Sequence, residues 1–232
     1  MAVDYFVMFS GSGVDPITFR DHYKRRNAAA LRALPGARLV LLHTPMPSHD
    51  PFLADKDPPL LLVQVKFDTT EAAEAALGSE ARRRIRDDFD GMPVKDGRVV
   101  HETLLAEPYA TANAAPSAIV TAPVSYFVHY RRSAEDEAAF LAYYRGHHPA
   151  IMGDFPGVRS LVLYLPMAWR DPLKIADADH MLVCQVAFDS VEALNAALAS
   201  DVRKRLREDY HHFPPFAGPV THYAMLRDQV HP

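Results

Sequence analysis

Phe140-Leu-Ala-Tyr-Tyr-Arg-Gly-His-His-Pro-Ala-Ile-Met-Gly-Asp-Phe-Pro-Gly157 carries a helical spacing and then ends it. Phe140, Tyr144, His148, Met152 and Phe155 recur at four, four, four and three residues, so on a 3.6-residue helix they form one inward stripe. Gly153 and Pro156-Gly157 mark the stop. An imidazole and a phenol one turn apart are unusual in a stripe meant only for packing, although a core helix can hold both if their polar atoms find partners.

The stretch has an earlier copy. Phe19 stands 121 residues before Phe140, Tyr23 before Tyr144, and Pro35-Gly36 before Pro156-Gly157. The same offset sets Tyr5-Phe6-Val7 on Tyr126-Phe127-Val128, Asp50-Pro51 on Asp171-Pro172, Gln64-Val65 on Gln185-Val186 and His101 on His222. The chain of 232 residues therefore reads as one unit written twice: an N-terminal repeat over 1–106, an Ala-, Thr- and Pro-rich linker over 107–123, and a C-terminal repeat over 124–232.

Period and punctuation give the order of elements in a repeat. Residues 124–130 alternate as a strand, and a helix follows whose start is marked by Ser133 with Asp136 three residues on; in the first repeat Asp15-Pro16 serves. Strands are expected over 158–165, 181–188 and 220–226, with a Pro- and Asp-rich loop over 166–179 and a helix over 190–210 broken near Ser200. The order β-α-β-β-α-β belongs to a ferredoxin-like α+β sandwich. Its sheet is covered by helices on one face, so two repeats are expected to pack sheet to sheet about a pseudo-twofold axis, a dimer fused into one chain. Both sheet faces are then buried, and alternation alone does not say which residues face the helices.

Composition sets bounds on function. Apolar residues are 49% and charged residues 23%, as in ordinary globular proteins, and the net charge of −4 offers no field for a polyanion, so nucleic acid is not an expected partner. The single cysteine, Cys184, lies in a strand-like run and reads as a small buried residue. No apolar run reaches the length of a membrane span and the first ten residues alternate like a strand, so a cytoplasmic protein without membrane contact is expected.

The two copies serve as a control on each other. Where the second has Arg145-Gly146-His147-His148-Pro149, the first has Lys24-Arg25-Arg26-Asn27-Ala28. A residue that merely filled space at 148 would be matched by an apolar one; Asn27 is polar, yet too weak a base to replace an imidazole. The pattern Phe140-x3-Tyr144-x3-His148-Pro149, followed by Phe155-Pro156-Gly157 and a strand, resembles the signature of the EthD family within the dimeric α+β barrel superfamily. The resemblance covers both repeats, with the first degenerate at Asn27. It implies an intramolecular dimeric α+β barrel with a small, largely apolar pocket between sheet and helices. The superfamily's reactions range over cofactor-free monooxygenation, isomerisation, polyketide cyclisation and haem chemistry, so the fold does not name one.

The residues suit proton transfer. His148 is the expected general base or acid, Tyr144 the group that stabilises developing oxyanion charge, and His147 a secondary candidate, since helix neighbours diverge by about 100°; Asp209 is the candidate carboxylate to orient an imidazole, against the reading of its stretch as a solvated helix end. Tyr126, His129, Tyr130, Phe140, Met152, Trp169, His212 and His222 are the candidate substrate-binding residues, Trp169 as part of a lid formed by the loop over 166–179, whose counterpart is the loop over 47–59. The doublets His147-His148 and His211-His212 lack the i, i+4 spacing that puts two imidazoles on one metal ion, and no metal or cofactor is expected. Arg82-Arg83-Arg84, Arg86 and Arg203-Lys204-Arg205, Arg207 are flanked by acids and read as solvated helix faces. The expectation is a cofactor-independent lyase or isomerase acting on a small aromatic or cyclic substrate; the competing reading is a small-molecule-binding or accessory protein that supports an oxygenase. Further self-association of the fused pair into a homodimer is left open.

Overall fold

Strands from both repeats join into one closed ring in the computed structural model, which describes residues 2–53 and 57–230. The elements are β1 (Val3–Ser12), α1 (Pro16–Arg32), β2 (Leu39–Pro45), β3 (Leu61–Phe67), α2 (Thr70–Leu77), α3 (Glu80–Asp87), β4 (Lys95–Tyr109), β5 (Val124–Arg131), α4 (Glu137–Met152), β6 (Ser160–Pro166), β7 (Ala176–Asp177), β8 (His180–Phe188), α5 (Val191–Leu198), α6 (Asp201–Tyr210) and β9 (Val220–Val230). Neighbours around the ring run β1-β3-β2-β9-β5-β8-β6-β4, and β4 returns to β1. All these pairs are antiparallel, and the short β7 lies parallel to β4 outside the ring. The chain is an α+β protein with an intramolecular dimeric α+β barrel.

Two strands make the seams. The first part of β4 pairs with β1 of its own repeat, and its end crosses to β6, Leu104 opposite Pro166 through Tyr109 opposite Leu161. β9 repeats the device, pairing with β5 and then with β2 from Met225–Pro45 to Val230–Val40. This is why β9 runs to Val230, past the expected end at residue 226, and why residues 107–109 are strand. Each extension satisfies the backbone edge of the other repeat, which would otherwise stand open.

The helix start differs from the capping pattern read at Ser133. Asp136 is the cap, its carboxylate accepting from the Ala139 amide. Residues 133–135 are held by another segment: the Ser133 carbonyl accepts from Ala217 N, and Glu135 N donates to Pro215 O. The helical piece over 190–210 divides into α5 and α6 at Ser200. Both Pro-Gly turns place glycine in the left-handed region, Gly36 at φ 71° and Gly157 at φ 75°.

Alternation in β5 sorts its side chains. Val124, Tyr126, Val128 and Tyr130 join the core under α4, α5 and α6, while Phe127 points into the barrel. The barrel interior holds a polar network: Gln64 donates to Asp4 (2.9 Å) and to the Tyr164 hydroxyl (2.9 Å), Tyr164 donates to Gln185 (2.6 Å), and Lys66 pairs with Asp4 Oδ1 (2.6 Å), while Asp4 Oδ2 is buried without a hydrogen-bond partner among the described residues. Cys184 is fully buried, and burial pushes its thiol up to about 12, as suits an inert apolar filler. Among the described residues no helix is long and apolar enough to cross a membrane.

Candidate active site

The α4 stripe of Phe140, Tyr144, His148 and Met152 turns inward, and Phe155, expected on the same helix, is buried beside it from the turn that follows Met152. Between α4, α6 and β5 the packing leaves a cavity of about 300 Å³. His148, Tyr144, Tyr126, Tyr130, Met152 and His222 line it, with Leu53, Arg203, Arg207 and Tyr210. The walls are mainly apolar with a few convergent polar groups, the usual make-up of a small-molecule site.

His148 has one ring nitrogen engaged and one left toward the cavity. Its Nδ1–H donates to Asp209 Oδ2 at 2.7 Å, and Asp209 Oδ1 accepts from the Tyr143 hydroxyl at 3.0 Å. This fixes the neutral tautomer with its lone pair on Nε2. Burial lowers the His148 pKa from its ordinary value, and Asp209 only partly restores it. Burial acts to raise the Asp209 carboxyl, but the hydrogen bonds from His148 and Tyr143 outweigh it and hold the group below its ordinary value. At neutral pH the pair is a neutral imidazole beside a carboxylate. Tyr144 stacks obliquely on His148, ring centres 4.7 Å apart, and burial keeps its hydroxyl protonated, well above the ordinary phenol range. Phe213 closes the other side of the imidazole, 5.0 Å away and edge-on.

Several expected site residues lie elsewhere. His129 points into the barrel, buried and stacked on His180 at 4.9 Å, because it alternates with Tyr130. Phe140 is fully buried against Phe213 and Phe216, one turn beyond the cavity wall. His147 is exposed, stacked on Tyr143 at 4.2 Å, with Nδ1 donating to the Tyr143 carbonyl at 2.8 Å. His212 is also exposed and caps the Glu208 carbonyl at 3.0 Å. Trp169 packs on the other repeat, 5.0 Å from His101 and 6.4 Å from Tyr5. The seam explains this: β6 is paired with β4, so the loop leaving β6 emerges over the N-terminal repeat.

The complementary loop does cover the His148 cavity. β2 is paired with β9, and the segment after it brings Asp50, Phe52 and Leu53 over the C-terminal repeat; residues 54–56 of the expected loop over 47–59 lie outside the described residues. Asp50 Oδ2 accepts from Arg203 Nε at 2.9 Å and from the Tyr126 hydroxyl at 3.2 Å. Arg203 and Arg207 flank the Phe52 ring at 5.3 and 5.0 Å. The solvated-face reading fits Lys204 and Arg205, which pair with Asp201 and Asp154 outside, but not Arg203, whose counter-charge comes from the opposite repeat. The match of Asp50 with Asp171 and of Arg203 with Arg82 was the available signal for this cluster.

In the N-terminal repeat Asn27 occupies the place of His148 and is buried. Its Nδ2 donates to Asp88 at 3.0 Å, so the carboxylate of the pair is kept and the imidazole is not.

Residues 132–214 match the family model of the EthD domain. The C-terminal repeat carries an EthD domain. The match spans the whole of α4 and ends just past the His148–Asp209 pair, so it includes His148, Tyr144, Met152 and Arg203 of the cavity wall, while Leu53, Tyr126, Tyr130 and His222 lie outside it. Solved structures show the fold over the full length. An anthrone oxidase-like protein superposes with a TM-score of 0.64 at 12% identity, covering 99% of this chain and 93% of its own. Proteins provisionally assigned as monooxygenases superpose likewise: that from Fusobacterium nucleatum subsp. nucleatum ATCC 25586 at TM-score 0.60 and 9% identity (98% and 94% covered), and that from Lactobacillus acidophilus NCFM at 0.55 and 10% (98% and 95%). A search of the curated proteins found no match.

Proposed function

We propose that the EthD domain is a proton-transfer catalyst that acts on a small aromatic or cyclic substrate without a cofactor, in the manner of a lyase or isomerase. The observation that carries this reading is the 2.7 Å bond from His148 Nδ1 to Asp209 at the wall of a largely apolar cavity. That bond leaves Nε2 as the acceptor, and the imidazolium formed when Nε2 takes a proton would be stabilised by the carboxylate behind it. Removing a proton from a carbon beside a carbonyl leaves negative charge on the oxygen. Tyr144, a neutral phenol at working pH whose hydroxyl is engaged with Tyr130 and Cys184, would donate to that oxygen by turning from them. The proton then returns from Nε2 to another atom of the substrate, which gives isomerisation, or follows a departing group, which gives elimination. The alternative, a carrier that only holds its ligand, has no use for an oriented base.

The test does not need the natural substrate. Small phenolic and cyclic ketones are incubated with the protein in D2O, and proton NMR follows exchange at their acidic carbons. Enzyme-dependent exchange that disappears in a folded His148→Ala variant is the expected result. Exchange at the same rate in that variant, or none with any ketone that binds, favours the carrier.

A further inference from the structure

The N-terminal repeat has its own cavity, about 410 Å³, at the position related to the EthD cavity by the duplication. Val7, Phe9, Ile85, Phe89 and Leu173 give it apolar walls, Arg82 lines it as Arg203 lines the other, and Arg86, Asp87 and Lys174 add charged groups to its lining. The two arginines differ in one respect. Arg203 is ion-paired with Asp50. Arg82 is 3% exposed, spends Nε and Nη2 on the Tyr5 hydroxyl (3.2 and 2.6 Å), and leaves Nη1 buried without a hydrogen-bond partner among the described residues. The matching aspartate, Asp171, is instead 3.3 Å from His101 Nε2. A buried guanidinium without a carboxylate is costly, and an anion brought with apolar substituents would relieve that cost.

We infer that the N-terminal cavity is a second ligand site, for a small hydrophobic carboxylate whose anionic group pairs with Arg82 and whose apolar body lies against Phe9, Ile85 and Phe89. With Asn27 in place of a histidine the site binds without proton transfer. It does not depend on the chemistry proposed for His148.

The only tryptophan in the sequence, Trp169, sits beside the Tyr5–His101 end of this cluster and reports on it. 4-Phenylbutyrate and its neutral amide are titrated into the full-length protein while Trp169 fluorescence is followed. A charge-assisted bond to a buried guanidinium predicts tighter binding of the carboxylate by roughly tenfold or more. The preference should persist in His148→Ala and fall away in Arg82→Gln. If Arg82→Gln does not fold, Arg86→Gln and Lys174→Gln, which remove the other cations of the lining, decide: the carboxylate preference should survive both, and its loss in either overturns the assignment to Arg82. Equal affinity for the two probes, no saturable carboxylate binding, or loss of the signal in His148→Ala overturns the proposal.

Discussion

Replacing Asp209 with asparagine keeps the size of the side chain and removes the charge behind His148. In the wild type, Oδ2 accepts from His148 Nδ1 at 2.7 Å and Oδ1 from Tyr143 at 3.0 Å, and the two side chains of the pair are only 9% and 10% exposed. An amide has one oxygen for these two donors. If Tyr143 keeps it, the amide NH2 faces Nδ1, which must then accept, and the neutral ring carries its proton on Nε2. The base becomes a donor. Loss of the bond to a charged acceptor weakens the imidazolium by about 1.5–3 kcal/mol, roughly ten- to hundredfold in rate. The tautomer change adds to this, up to the whole of a general-base contribution of about 10²–10⁴. Asp209→Asn should therefore lose roughly a hundredfold or more in the D2O exchange assay, without exceeding the loss in His148→Ala, and the double variant should be no worse than His148→Ala. Nitrogen-15 NMR of the ring should show Nδ1–H in the wild type and Nε2–H in the variant. Asp209→Asn exchanging at the wild-type rate, or a wild-type ring protonated on Nε2, refutes the assignment of Asp209 as the orienting group.

Stability should fall on the acid side of neutrality because imidazoles are buried neutral. His43 is fully buried with Nε2 on Gln64 at 2.9 Å, and burial depresses its pKa to about 3. A folded pKa below the unfolded one means the unfolded chain takes the proton first. The contribution is thus complete above about 6.5 and lost as pH falls toward about 3, on the order of 4–5 kcal/mol in all. His43→Leu should flatten urea-measured stability across that window, and an unchanged slope would contradict it. Asp50→Asn removes the counter-charge of Arg203 where the two side chains are 5% and 13% exposed, and should cost about 3 kcal/mol in urea unfolding, the low end for a broken buried pair because the amide oxygen still accepts; a cost near zero would show the pair to be solvated. Trp169 emission should shift in Tyr5→Phe and stay the same in His148→Gln, and the reverse pattern would put the tryptophan over the wrong repeat.

The fold was legible because duplication is visible without structure. An offset kept from Tyr5 to His101 leaves few arrangements, and the inward stripe of α4 follows from its spacing alone. The His148–Asp209 pair was also within reach, since both lie on faces set by helical period. What escaped were relations between repeats. Nothing local to Asp50 announces that it lands on Arg203, and nothing in the loop over 166–179 says that Trp169 will settle on Tyr5; both follow from β4 and β9 each pairing across a seam. His129 escaped for a different reason. With both faces of β5 buried, polarity carries no information about which is which.

The crossing of the loops constrains how the two copies can diverge. Asp50, Phe52 and Leu53 are encoded in the copy that lacks the imidazole, yet Leu53 lines the chamber that has one, and Asp50 and Phe52 hold the arginines of its wall. The first copy is thus not free to decay into a strut, because drift in its loop would be felt in its twin's interior. Fusion into a single polypeptide makes such a division of labour heritable, since in a pair of identical separate chains every change would fall on both chambers at once.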